Sequence, residues 1–579
     1  MSIHHIGPIA GITAHGQWIA TAGYDNRLIL WDSTTREAVQ QFHHDHLVNQ
    51  CAFSPDGNWL VSASSDYTAR VWSLKEMKLV SVLDGHTDDV DMAAFSPDGN
   101  LVATCALDRC VRIFERTGRC LHTLRGHTGN VLSLAWSHDN ASLVSSSVDG
   151  TIRTWDSVSG AQLALTDLGM RSDSVEIADN EVIYAADDYG RIATIAQDNC
   201  LEWTDAHAAG IKKIALNAAQ NLLVSLSYDR TLAVWQIEPS EQSTGAVLNL
   251  LQRCELPPSI WARAATFVAD GRIACGTFGG TYALYDVATG QWDLQGVDAG
   301  NAINAVLHSG NAIYTVGDSG EVLRNGQVHA RMHSLCNFLV DCAGHLYTGG
   351  QLGQVFDANS GEILYQHTSP LNCAVALAHQ GTPHLAQMEH RAHLIIGTYT
   401  GEILVFAVMP DASLQLEHTL RVYENAVKGL SVSHETLFSV CANTDVAWHA
   451  IDSWQLLRRV ERAHERIANA CCAIDADGFA SVGRDRTLRL WHGDSAARYE
   501  TPHAHSVKCI AVDANRTAVL TGSYGGTVAR FDLKARRWGA LQRVCKAGIS
   551  AISWNTTTQQ FLAASYDGNV YALSSGGAL

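Results

Sequence analysis

A histidine, one of two serines, an aspartate and a tryptophan stand close together at His127, Ser145 or Ser147, Asp149 and Trp155. These are the residue types of nucleophilic hydrolysis: a hydroxyl to attack, an imidazole to take its proton, a carboxylate to orient the imidazole. The set recurs, as at His207, Asp229 and Trp235. Active sites are seldom repeated within one chain, so the recurrence favours a structural role, with the aspartate in a tight turn and the histidine bridging loops. No catalytic residue is assigned. Two histidine clusters, His43/His44/His46 and His384/His390/His393, have the types of a metal site. Neither has a helical i, i+4 pair or a cysteine or carboxylate at motif spacing, so neither a metal nor a cofactor is expected. No Walker loop, GxSxG or kinase signature occurs. The basic run LKARRW, 533–538, reads as a solvated turn.

The elements that position these residues belong to a chain of 579 residues, long enough for several domains. Apolar residues make up 46% and charged ones only 17%, with a net charge of −18. That balance argues against a nucleic-acid partner or an anionic membrane surface, which need clustered positive charge. No run of 18 apolar residues and no signal-peptide pattern occurs. The fifteen cysteines fit no disulfide framework, so a reducing cytoplasm is expected.

Gly85-His86 recurs 41 residues later as Gly126-His127. The blocks VNQCAFSPDGNWLVSASSDYTARVWS, VDMAAFSPDGNLVATCALDRCVRIFE and VLSLAWSHDNASLVSSSVDGTIRTWD share one pattern. Each has an alternating strand, an SPDG-type turn, a second apolar strand, an aspartate turn and a third strand ending in Trp-Asp or a variant. With Trp31-Asp32 and Trp155-Asp156, these blocks resemble the WD40 family, most specifically in 10–160, 207–237 and 464–532. The resemblance implies that the repeated His, Ser/Thr, Asp and Trp form a hydrogen-bond relay within each blade.

Third strands read at 27–31, 68–72, 110–114, 151–155, 190–195, 231–235, 281–285, 320–324, 353–356, 401–406, 444–448, 487–491, 527–531 and 569–573 count fourteen blocks. One four-stranded sheet cannot bury both faces, so such blocks stack. The resemblance implies an all-β fold of two seven-bladed WD40-type β-propellers, fourteen blades of four antiparallel strands. The last block stops after three strands, and residues 2–6 are expected to supply its fourth. That makes residues 1–255 plus 545–579 the first propeller and 258–543 the second, with 238–258 as linker. The alternative is a division in chain order near 300.

The first strand of each block carries one more pattern. In the expected second ring, the residue after its leading apolar position is Arg263, Asn304, Asn337, Asn372, Lys428, Asn469 or Lys508. The first ring is mixed, with Asn49, Asp91, Leu132 and Lys212. The family places this position near the channel mouth. Amides and cations without a carboxylate suit a carboxylate, a phosphate or an acidic peptide, although a water-filled channel lining explains them equally well. The expected function is a non-catalytic protein- or peptide-binding scaffold with this ligand site. The alternative is an enzyme or sensor of an anionic small molecule at the same site, with His464 and His505 as titrating groups.

Overall fold

The computed structural model describes residues 3–196, 198, 200–239, 246–257, 259–297, 302–332, 334–377, 392–493 and 495–574. Fourteen antiparallel sheets follow one another along the chain, and the described residues contain no α-helix. Strands run in chain order across each sheet; the thirteenth has a split outer strand and the fourteenth has three strands among the described residues. The contacts divide the chain into two units, Met1–Gly300 and Asn301–Leu579. Each unit holds seven sheets.

The repeated sequence explains the local structure. In the fourth sheet, Ser142–Ser147 ends in a turn where Asp149 accepts the Thr151 N–H at 3.0 Å. Gly150 closes that turn at φ +79, a conformation glycine adopts without strain. The SPDG turns work likewise: Ser54 Oγ accepts the Trp59 N–H at 3.0 Å and Asp56 accepts that of Asn58 at 3.1 Å. Alternation then buries both faces of the middle strands. Leu60, Val61 and Ala63 are fully buried, whereas the outer strand Lys78–Leu83 exposes Lys78, Leu79 and Val80.

The first strand of a sheet lies innermost. In the N-terminal unit these strands are Ile9–His15, Val48–Phe53, Val90–Phe95, Val131–Trp136, Ser172–Ile177, Ile211–Asn217 and Ile260–Phe267. Each packs on the next, and the last packs on the first. In the C-terminal unit Ile303–Ser309, Cys336–Cys342, Leu371–Leu377, Val427–Ser433, Ala468–Ala473, Val507–Val512 and Ile549–Asn555 contact one another in the same cyclic order.

These contacts correct the intertwined division. Ser2 lies outside the described residues. His5, expected beside 569–573, instead exchanges two backbone hydrogen bonds of 2.9 Å with Gly280 in the seventh sheet. Its side chain explains why: His5 belongs to the first sheet, with Nδ1 3.0 Å from Asp25 and Nε2 2.8 Å from Thr21 Oγ1. Ser550 in the fourteenth sheet donates to the Ile303 carbonyl of the eighth. The expected linker 238–258 is also corrected. Thr231–Pro239 and Ala246–Glu255 pair as two antiparallel strands of the sixth sheet, while residues 240–245 of the expected linker lie outside the described residues.

Candidate functional site

The triad-like residues do meet, in a buried chain. His127 Nε2 lies 2.8 Å from Ser145 Oγ, Trp155 Nε1 donates to the same oxygen at 2.9 Å, and His127 Nδ1 lies 3.0 Å from Asp149. Ser147 instead accepts the Asp149 N–H at 3.1 Å. Ser145 is 0% exposed, so its hydroxyl cannot meet a substrate. Equivalent chains join His44, Ser62, Asp66 and Trp72; His207, Ser225, Asp229 and Trp235; and His464, Ser481, Asp485 and Trp491. His5, Thr21, Asp25 and Trp31 form one more that the sequence reading missed. Its signal was the spacing: like His127 before Val131, His5 precedes the start of its inner strand by four residues.

The relay aspartates are strongly acidic. Burial raises Asp485, but hydrogen bonds from His464, the Glu465 N–H and Thr487 outweigh it and hold the carboxyl at about 2. Asp229 is held at about 2 by the same balance, with His207 and Thr231 as partners. A depressed folded pKa contributes stability above the unfolded value of about 3.9 and loses it as pH falls through the folded one. Acidification from pH 5 to pH 2 should therefore remove on the order of 2 kcal/mol for each such aspartate. Urea midpoints across that range check this, and Asp229→Asn should flatten part of the slope.

His44 has both ring nitrogens engaged, which removes it from the metal types of the first histidine cluster. Of the second, His384 and His390 lie outside the described residues, and His393 Nε2 lies 3.0 Å from Glu417. Among the described residues no group of three metal-type ligands converges.

The inner-strand position identified in the sequence is a structural feature. Pairing to the second strand slips by one residue there, so Ala10, Asn49, Asp91, Leu132, Asp173 and Lys212 are β-bulge residues in the N-terminal unit. Asn304, Asn337, Asn372, Lys428, Asn469, Lys508 and Ser550 hold the same place in the C-terminal unit. A bulge re-aims a side chain and leaves a residue outside the ladder.

Arg263 is the correction to the candidate set. It lies in the N-terminal unit, with Nη2 3.5 Å from Asp91. A cavity lined by Asn49, Asp91, Asp173, Lys212 and Arg263 opens there. Its charges are paired within the unit: Lys212 reaches Asp173 at 2.8 Å and also Asp188, and Arg171 reaches Asp173 at 2.5 Å.

In the N-terminal unit Asn49 also donates to the Val90 carbonyl at 2.9 Å, and the C-terminal unit repeats this bond at four bulges. Asn304 donates to the Cys336 carbonyl at 3.1 Å, Asn337 to Leu371 at 2.7 Å, Asn372 to Val427 at 2.6 Å and Asn469 to Val507 at 2.7 Å. Each accepting carbonyl belongs to the residue just before the bulge of the next sheet. The amide N–H groups thus tie neighbouring sheets together. Lys428 and Lys508 make no such bond. Lys428 Nζ sits 5.3 Å from the centre of the Tyr399 ring. Burial, reinforced by the charges of Lys508 and Arg484, pushes its amine down to about 7. Asp318 accepts from Asn304 at 2.8 Å, and burial pushes its carboxyl up to about 7, which weakens it as a counter-charge.

Arg484, Tyr399, Tyr524, Tyr566 and Asp318 were missed in the sequence. Each follows directly on a second strand, so the repeat itself could have found them. Tyr524 and Tyr566 stack with ring centres 6.3 Å apart.

A family model described as the IFT122 first β-propeller matches residues 9–236. Actin-interacting protein 1 of Drosophila melanogaster is 29% identical over 161 residues, 27% of this chain and 26% of that protein. Nuclear distribution protein nudF of Aspergillus niger is 26% identical over 185 residues, 28% and 42% of the two chains. The Drosophila persimilis WDR12 homolog, a ribosome biogenesis protein, is 26% identical over 270 residues, 39% and 61% of the two chains. The chain thus spans less than two thirds of each of these relatives. No helix among the described residues is long and apolar enough to cross a membrane.

Proposed function

We propose that this chain, whose repeats resemble the WD40 family, acts as a non-catalytic scaffold whose C-terminal unit holds an acidic segment of a protein partner. In this reading each unit is a closed seven-bladed propeller. Support comes from the cyclic packing of the inner strands and from the Ser550 bond to Ile303. The ligand site is the channel mouth of the C-terminal unit, where Lys428 and Lys508 supply charge and Asn304, Asn337, Asn372 and Asn469 shape the rim. The observation that carries it is the contrast between the units. The N-terminal cations are matched by Asp91, Asp173 and Asp188, whereas the charges that bear most on Lys428 are those of Lys508 and Arg484. A desolvated cation facing like charges gains most from an anion. Fifteen free thiols support a cytoplasmic setting.

A second reading, an enzyme or a sensor of a small anion, draws on Lys428, an amine that changes charge near neutral pH. His464 gives it no help, since Asp485 and Ser481 occupy both ring nitrogens.

The test is a calorimetric titration of the full chain with a hexaglutamate peptide. Replacing Lys428 and Lys508 by methionine should weaken binding by roughly 1.5–3 kcal/mol for each charged hydrogen bond lost, about tenfold or more. The same change at exposed Lys75 and Lys78 should leave it unaltered. Unchanged affinity in a folded Lys428→Met/Lys508→Met variant would make the mouth a solvent-filled lining only.

A further inference from the structure

The cavity of the N-terminal unit has a volume of about 90 Å³, several times what one water molecule needs. All seven inner strands of the unit contribute to its lining. The four cations in that lining each have a carboxylate. Arg171 and Lys212 share Asp173 and Asp188, Lys213 reaches Glu176 at 3.3 Å, and Arg263 reaches Asp91 at 3.5 Å. A simple ion entering this site would bring a buried charge without a partner, which is costly. Such a lining favours a ligand without net charge.

One of these pairs is loosely closed. Asp91 stands on the third sheet and Arg263 on the seventh, so the two meet across the ring of inner strands. Their 3.5 Å contact is longer than the roughly 2.7–2.9 Å of a charge-assisted hydrogen bond. It is the only hydrogen bond that either side chain makes among the described residues. Both side chains are open to solvent, 37% for Arg263 and 18% for Asp91, against 8% for Lys212. Burial raises the Asp91 carboxyl above the usual carboxylate range; Arg263 opposes this, and Asp173 and Asp89 add to it. Asp91 therefore gains from a second cation. Leu132 is the exception on the other side of Asp91. It holds the bulge of the adjacent fourth sheet with an apolar side chain, and with Met92 it gives the lining an apolar part.

We propose that the cavity of the N-terminal unit binds a free α-amino acid with a small aliphatic side chain, its carboxylate on Arg263, its ammonium on Asp91 and its side chain against Leu132. Neither the C-terminal unit nor an acidic partner is needed for it. A zwitterion replaces one long ion pair by two charge-assisted hydrogen bonds and leaves the net charge of the lining unchanged. The guanidinium offers a planar fork that both oxygens of a carboxylate can fill. The ammonium brings Asp91 the second cation that Arg263 alone does not replace. An aliphatic side chain covers Leu132, an apolar residue otherwise left facing polar neighbours and solvent.

The experiment is a calorimetric titration of the full chain with L-valine, glycine and two analogues of valine that each lack one charge: isovalerate, without the ammonium, and isobutylamine, without the carboxylate. Valine should bind about tenfold or more tightly than either analogue, since each forfeits a charged hydrogen bond. Glycine should bind more weakly than valine, and Leu132→Ala should narrow that gap. Arg263→Gln and, separately, Asp91→Asn should each weaken valine binding by about tenfold or more. Lys428→Met should leave it unchanged, which separates this site from the one proposed for an acidic partner. Absence of binding by both valine and glycine overturns the proposal and leaves the acidic-partner reading standing. Isovalerate or isobutylamine bound as tightly as valine overturns the zwitterion in favour of a simple ion site. Valine affinity retained in both folded variants overturns the location. The order of the probes on the unaltered chain decides the ligand class even where a variant fails to fold.

Discussion

Replacing His5 by alanine should destabilise the N-terminal unit by about 2–3 kcal/mol, because the Thr21 and Asp25 side chains both lose the imidazole while Asp25 keeps the Ile6 and Arg27 N–H groups. His5 places Nδ1 3.0 Å from Asp25 and Nε2 2.8 Å from Thr21, which in turn accepts the Trp31 indole N–H at 2.7 Å. The backbone of the same residue ties the first sheet to the seventh at Gly280. Hydrogen exchange should therefore speed up in peptides covering 9–32 and 260–293 and stay unchanged in 303–574. Faster exchange confined to 549–574 would instead restore the intertwined division.

The second large effect belongs to the aromatic core of the C-terminal unit. Phe438 is fully buried, with its ring centre 4.7 Å from Trp448 and 4.8 Å from Phe479. Phe438→Ala should cost about 3–5 kcal/mol, since these rigid rings on three strands cannot collapse into the cavity. A drop in denaturation midpoint, with exchange accelerating across 427–500, checks it. A loss below about 1 kcal/mol would mean the rings repack freely.

Much of the fold is local and was legible for that reason. Third strands read at 27–31, 110–114 and 487–491 occur as Arg27–Asp32, Cys110–Glu115 and Thr487–His492. An alternating strand and an aspartate turn are specified by neighbours in sequence, so a period of 41 residues reports them faithfully. The partnership of sheets is not local. Whether Ile9–His15 lies against Ile260–Phe267 or Ile549–Asn555 depends on contacts hundreds of residues apart, and no single block encodes them. The same limit misplaced Arg263, whose position in its block was read but not the unit it belongs to. Its companions show a further limit. Asn337 and Lys428 occupy equivalent bulges, yet the amide bonds to the next sheet while the ammonium faces other cations. Residue type at a repeated position locates a side chain but not its partner, and the partner decides between lining and site.

The most direct measurement is the titration of Lys428 itself in the free protein, by brief acylation at a series of pH values with mass-spectrometric readout for each lysine. The groups facing its amine are Lys508, Arg484, Cys373 and Cys441, with the Tyr399 ring beneath it. Lys428 should react half-maximally near 7, and Lys508→Met should raise that midpoint by removing a neighbouring positive charge. A Lys428 midpoint above 9 that does not respond to Lys508→Met would contradict a buried amine facing like charges, and with it the site on which the proposed function rests.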